Sequence, residues 1–280
     1  MNYIEIKCRV QPVESGSEIL TALLGDMGCD SFMDWEEGLL AYIPEADFSE
    51  EALRGIQLPE TAGITWSYSL QRIQDKDWNA EWESHYEPVW VDGICHIRAP
   101  FHLPAKEAAY DLLIEPKMSF GTAHHETTAQ MISYLLEEDC QGKSVLDMGS
   151  GTGVLAILAA MRGASELTAI DNDEWAYRNM LENCRLNHTE NILCIWGDAH
   201  SIPDTAFDVV LANINRNILL QDMAEYVKHL KANGTLLISG FYEGEDLVLL
   251  RGKAEGLGLA FASHRTRNRW VAARFTNGKH

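Results

Sequence analysis

Three alternating glycines close an apolar run in Val145-Leu146-Asp147-Met148-Gly149-Ser150-Gly151-Thr152-Gly153, and the apolar stretch Val154 to Met161 follows at once. Glycines at that spacing permit a tight turn and let a ligand approach the backbone closely. A dinucleotide site prefers a further glycine at position 154, where this chain has Val154, so nicotinamide chemistry is disfavoured. Asp147 stands just before the turn, and Asp171 lies 22 residues beyond Gly149 at the end of the next strand-like run. A carboxylate at such a strand end can accept both hydroxyls of a ribose, which suits a different nucleoside cofactor. The alternative is a glycine turn with two incidental capping acids. Metal chemistry finds no support: Cys8, Cys29, Cys95, Cys140, Cys184 and Cys194 are scattered without a paired CxxC spacing and read as small buried hydrophobes. His124 and His125 are adjacent, and adjacent residues of a regular element point in different directions.

The elements that position these groups follow from hydrophobic periodicity. From Thr127 onward, strand-like runs at Ser144 to Met148, Leu167 to Ile170, Ile192 to Trp196, Phe207 to Ala212 and Thr235 to Phe241 alternate with helical stretches. Runs at Leu259 to His264 and Arg269 to Phe275 follow, only a few residues apart. This order predicts an α/β sheet with helices on both faces and an antiparallel hairpin appended to a parallel sheet. Arg265, Arg267 and Arg269 alternate like one face of a strand and read as a solvated sheet edge. The N-terminal part reads differently, with a strand at Tyr3 to Val10 and a helix at Ser17 to Met27. A hairpin of Ser31 to Trp35 and Leu39 to Ile43, a short helix near Ser49 to Arg54 and a strand near Ile64 to Leu70 complete it. The order β-α-β-β-α-β is that of a ferredoxin-like domain, which commonly presents a surface to a partner. Trp78 and Trp82 lie one helical turn apart in the segment between, read as a connecting helix packed on a neighbouring domain. The expected organisation is a ferredoxin-like domain at 1–72, a linker helix at 73–86 and an α/β domain at 87–280.

The glycine turn with Asp147 and Asp171 resembles motif I and the acidic loop of the class I S-adenosylmethionine-dependent methyltransferases, which implies a Rossmann-like sheet and S-adenosyl-L-methionine as cofactor. Gly197-Asp198-Ala199 is similar to the family position that contacts the adenine amine, which puts Asp198 beside the base. Asn213 falls where amine-methylating members carry Asn-Pro-Pro-Tyr, but the chain continues Ile214-Asn215-Arg216-Asn217 without the prolines or the ring. A side-chain carbonyl there can accept hydrogen bonds from a target amine and aim its lone pair. Alternatively, Asn213 caps the helix that follows. The stretch Phe120-Gly121-Thr122-Ala123-His124-His125-Glu126-Thr127-Thr128 narrows the resemblance to the ribosomal protein L11 methyltransferases of the PrmA type, with Ala123 where that family often has Gly. The resemblance extends to Asp77-Trp78-Asn79-Ala80-Glu81-Trp82 and covers nearly the whole chain. It implies that Thr128, Gly149, Gly151, Asp171 and Asn213 hold the cofactor with Phe120 and Thr122 covering it; Thr127-Thr128 alternatively serves only to start a helix.

Charge bears on the partner. The chain of 280 residues carries 22 basic and 42 acidic side chains, a net charge of −20, which repels nucleic-acid phosphates. Residues 1–116 hold net −15 and residues 117–280 net −5, so the acidity concentrates in the N-terminal part, where it either steers a basic partner or aids solubility. The apolar run Val154 to Met161 is too short to cross a bilayer, and the N-terminal residues lack a secretion signal, so a cytoplasmic monomer is expected. Taken with the resemblance, these features predict an enzyme that transfers methyl groups to lysine or N-terminal amines of ribosomal protein L11, without a metal, Asn213 orienting the amine and not acting as a base. An amine methyltransferase acting on nucleic acid or another protein, and a non-catalytic module that keeps the cofactor fold, are the alternatives.

Overall fold

The computed structural model describes residues 2–56, 58, 63–73, 86–117 and 119–278. It divides into two compact units, residues 1–86 and 87–280. The expected linker helix, with Trp78 and Trp82, lies outside the described residues.

In the first unit, β1 (Tyr3–Gln11), α1 (Val13–Asp26), β2 (Ser31–Trp35), β3 (Gly38–Pro44), α2 (Glu50–Arg54) and β4 (Thr65–Ile73) follow in chain order. The strands form one antiparallel sheet in the order β2-β3-β1-β4, the ferredoxin-like arrangement. Alternation buries Ile6, Cys8 and Val10 of β1 with Leu39, Ala41 and Ile43 of β3 under Leu20, Leu24 and Leu53 of the helices. Helix α1 starts four residues earlier than its apolar spacing predicts. Pro12 supplies its extended N-cap at φ −67°, and Gly16 sits so close to Val10 that a Cβ would lie 2.3 Å from its side chain.

The second unit begins with a small sheet of β5 (Val89–Val91), β6 (Cys95–Arg98) and β7 (Tyr110–Leu113). After α3 (Glu126–Glu137) the chain alternates through β8 (Ser144–Met148), α4 (Val154–Met161), β9 (Glu166–Asp171), α5 (Glu174–Leu186), β10 (Leu193–Trp196), β11 (Phe207–Asn213), α6 (Arg216–Lys228), β12 (Leu230–Tyr242) and α7 (Glu245–Gly256). It ends in the hairpin β13 (Leu259–Arg267) and β14 (Trp270–Asn277). The seven-stranded sheet runs β10-β9-β8-β11-β12-β14-β13, parallel from β10 to β12. This is the α/β sheet that the alternation predicts, with the Rossmann-like order that the resemblance implies. Its hairpin is threaded with the second strand inward: β14 pairs antiparallel with both β12 and β13, leaving β13 at the edge. Arg269 falls in the hairpin turn at φ 67°, so the three arginines do not share a strand face. Separate apolar clusters pack the two sheet faces. The wholly apolar helix α4 is buried along nearly its full length, which is why its sequence shows no polar stripe.

Strand order reverses between β8 and β11, and in open α/β sheets ligands bind at the carboxyl ends of the strands at such a point. The ends of β8, β9 and β11 there present Asp147, Asp171 and Asn213.

Candidate functional site

The turn after β8 is built on left-handed glycines: Gly149 at φ 61°, Gly151 at φ 55° and Gly153 at φ 80°. Sterics reinforce the backbone requirement. A Cβ on Gly149 would lie 2.8 Å from the Ile214 side chain, and one on Gly151 would lie 2.1 Å from the Phe120 carbonyl oxygen. The segment around Phe120 is laid onto this turn by two bonds, Thr152 N–H to Phe120 O at 2.9 Å and Thr152 Oγ1 to Gly121 O at 2.7 Å. Ala123 in this segment takes φ 66°, the left-handed region that favours glycine.

Asp171 ties the turn to the next strand. Its Oδ2 accepts from Gly151 N–H at 2.8 Å and its Oδ1 from Asp173 N–H at 3.0 Å, and each oxygen retains capacity for a further donor. Asp147 lies beneath, 1 % exposed, with Oδ2 accepting from Ala156 N–H at 3.2 Å and Oδ1 without a partner. Burial pushes its carboxyl up to about 8, the Ala156 bond opposing and the neighbouring Asp171 charge adding to the rise.

Two cavities flank these groups and share Gly149, Asp171, Asn172, Ile214 and Asn215. The first, about 490 Å³, is also lined by Phe120, His125, Thr127, Gly151, Asn213 and Trp270. Its wall is a chain of rings, with centroids 5.2 Å apart for Phe120 and His125 and 4.7 Å for His125 and Trp270. Tyr242 backs Trp270 at 4.1 Å. The second, about 390 Å³, has an apolar floor including Met148, Ile170 and Ala199, with Asp198, Asp222 and Tyr226 among its polar groups.

Asn213 stands at the end of β11 with Nδ2 donating to Thr128 Oγ1 at 3.1 Å, while its buried Oδ1 has no partner. Asn213 does not cap α6. Asn215 does, accepting from the N–H groups of Asn217 and Ile218. Nor is either threonine the cap of α3, a position taken by His125, whose Nδ1 accepts from Thr127 N–H.

Of the residues singled out by sequence, Phe120, Gly149, Gly151, Asp171 and Asn213 line the first cavity and Asp198 the second. Asp198 also caps a short helical turn through His200 N–H at 2.9 Å. Thr128 and Thr122 line neither cavity. Thr128 is fully buried behind Asn213, and Thr122 Oγ1 lies 3.1 Å from Nδ1 of His124. Sequence reasoning passed over His125 as a wall residue, Trp270, Gly240 and Tyr226; of these, only His125 sat inside a motif already noticed. Among the described residues, no three His, Cys, Asp or Glu side chains gather as a metal ion requires.

The donors and acceptors fit S-adenosylmethionine. A ligand spanning the shared rim would meet the Asp171 carboxylate at its middle, the unpartnered Asn213 Oδ1 at one end and an apolar slot edged by Asp198 at the other.

The comparisons with known proteins agree with this architecture. The family model described as Ribosomal protein L11 methyltransferase (PrmA) matches residues 17–278. A ribosomal protein L11 methyltransferase of Phocaeicola vulgatus is 44% identical over 282 residues, covering 98% of this chain and 99% of the relative. One of Bacteroides thetaiotaomicron is 44% identical over 283 residues, covering 99% and 100%. The solved structure of a ribosomal protein L11 methylase from Lactobacillus delbrueckii subsp. bulgaricus superposes with TM-score 0.64 at 22% identity, over 69% of this chain and 100% of that one, a likeness of fold.

Proposed function

The chain belongs to the ribosomal protein L11 methyltransferase family, and from that premise we propose that it transfers methyl groups from S-adenosylmethionine to lysine side-chain or N-terminal amines of ribosomal protein L11. When bound, the cofactor supplies an electrophilic methyl on a sulfonium sulfur. Asp171 holds its ribose, the turn Gly149 to Gly151 lies against it, and Asp198 borders its base. A protonated amine cannot attack, and a free lysine has a pKa of about 10.4, so the target must lose a proton first. Desolvation beside the Phe120, His125 and Trp270 wall lowers that pKa. Asn213 Oδ1 then accepts a hydrogen bond from the neutral amine and fixes the direction of its lone pair. Thr128 holds the nitrogen end of the Asn213 amide and leaves its oxygen for the amine. Among the described residues no carboxylate is hydrogen-bonded to Asn213, and solvent takes the proton; catalysis rests on proximity and orientation.

The observation that carries this reading is Asn213, which lines a cavity bordered by the glycine turn and Asp171 and keeps a buried Oδ1 without a partner. Residues 1–72, which carry net −9, capture the basic protein substrate, and the net charge of −20 favours a basic protein over nucleic acid. Intact-mass spectrometry of purified L11 incubated with this chain and S-adenosylmethionine tests the assignment. Mass gains of whole methyl groups, mapped to amines, support it; an unchanged L11 mass refutes it.

A further inference from the structure

Tyr226 lies in α6 with no exposed surface, packed in the apolar cluster beneath the sheet, yet its hydroxyl has no hydrogen-bond partner. Leaving a phenol in that state costs free energy that a phenylalanine of the same shape would not. Burial, with the charge of Asp222 one turn earlier, pushes the phenol above its ordinary range, so it remains a neutral donor. The residue also lines the second cavity.

The other polar groups of that cavity have a common bias. Asp171, Asp198 and Asp222 carry carboxylates, which accept and do not donate. Asn172, His200 and Gln221, which can donate, are exposed, so water competes for their hydrogen bonds. A purine carries an exocyclic amine, which suits the carboxylates, and ring nitrogens, which are acceptors and need a donor. Tyr226 is the buried side-chain donor on the described lining.

We propose that Tyr226 is a specificity-determining residue for the cofactor, its hydroxyl donating a hydrogen bond to a ring nitrogen of the adenine. The inference rests on the reading of the second cavity as the base pocket. It accounts for an orphaned hydroxyl in an otherwise apolar core: the partner arrives with the ligand. Binding then converts an unsatisfied donor into a satisfied one, and a site that needs a buried hydrogen bond discriminates strongly against a base that cannot supply it.

Calorimetric titration with S-adenosylhomocysteine tests this without turnover. Tyr226→Phe should weaken binding by about five- to fiftyfold, the effect of leaving one buried acceptor unsatisfied. The melting temperature of the ligand-free variant should equal or exceed that of the wild type, because the removed hydroxyl had no partner. A second arm uses the 1-deaza, 3-deaza and 7-deaza analogues. One of them should lose affinity for the wild type by a comparable factor and lose nothing further on Tyr226→Phe, the signature of a direct contact. Equal affinity of both proteins for S-adenosylhomocysteine, or losses for all three analogues that are the same in both proteins, would overturn the proposal even if the variant's stability changed. Wild-type protein that binds no S-adenosylhomocysteine would instead overturn the base-pocket reading beneath it.

Discussion

Thr128 Oγ1 accepts a hydrogen bond from Nδ2 of Asn213 at 3.1 Å, across 85 positions of sequence, and this contact engages the nitrogen end of the Asn213 amide. With the nitrogen engaged, the buried oxygen is left without a partner, and on the proposed reading it is the group that meets the amine. On the proposed reading Thr128 is a positioning residue, where the family resemblance implies a contact with the cofactor.

Thr128→Val keeps the shape of the buried side chain and removes only the acceptor. The expected result is a kcat lowered about fivefold, the worth of one neutral hydrogen bond, with S-adenosylmethionine affinity changed less than twofold. Steady-state kinetics beside calorimetry separates the two quantities. A large loss of cofactor affinity with intact kcat would return Thr128 to the cofactor site.

Asp171 braces the turn through Gly151 and Asp173, and on the proposed reading its remaining lone pairs meet the ribose of the cofactor. Asp171→Ala should weaken S-adenosylmethionine binding by about 1.5–3 kcal/mol, the range for a hydrogen bond to a charged group. It should also lower the melting temperature of the ligand-free protein. Unchanged affinity with lowered stability would leave Asp171 as a brace alone.

The raised carboxyl of Asp147 sets a pH dependence of stability. Between the ordinary value of 3.8 and about 8 the native state keeps a proton that the unfolded chain has released. The native state therefore binds more protons there, and stability from this group falls as pH rises through that window, at up to about 1.4 kcal/mol per pH unit. Asp147→Asn removes the titration, so its urea midpoint should decline less between pH 5 and pH 8 than that of the wild type, in steps that about 1 kcal/mol differences resolve. Parallel midpoint curves for the two proteins would contradict the assignment.

Much of this site is legible in the chain because its parts are local. The turn Asp147 to Gly153 needs left-handed glycines, and its apolar neighbours mark β8 and α4. Asn213 and Asp171 end strands whose apolar runs are easily recognised. What stays hidden depends on long-range threading. Trp270 reaches the cavity only because β14 enters the sheet beside β12, which sets its ring 4.7 Å from His125. Tyr226 sits at helical spacing in α6 like any core aromatic, and nothing local reveals that it borders a cavity with its buried hydroxyl left without a partner. Thr122 stands in a suggestive motif, and its side chain meets His124 without lining either cavity. Similarly, Asn213 and Asn215 are indistinguishable as helix caps by type, and only the bonds to Asn217 and Ile218 N–H decide between them.

Capture of L11 by the acidic N-terminal part makes a separable prediction. Exposed charges are screened over about 8 Å at physiological ionic strength, so affinity for L11 should fall steadily as salt is raised. The cofactor, held largely by short contacts at the turn and Asp171, should respond little. A salt titration of both affinities on the full chain checks this, and an L11 affinity indifferent to salt would assign the acidity to solubility.

The central claim, that Asn213 aims the target amine, is tested most directly by the single-turnover rate of L11 methylation by Asn213→Ala at saturating S-adenosylmethionine. If orientation by the Asn213 carbonyl drives the transfer, the rate should fall by about a hundredfold or more while bound cofactor remains measurable by calorimetry. A single-turnover rate equal to that of the wild type would contradict the account.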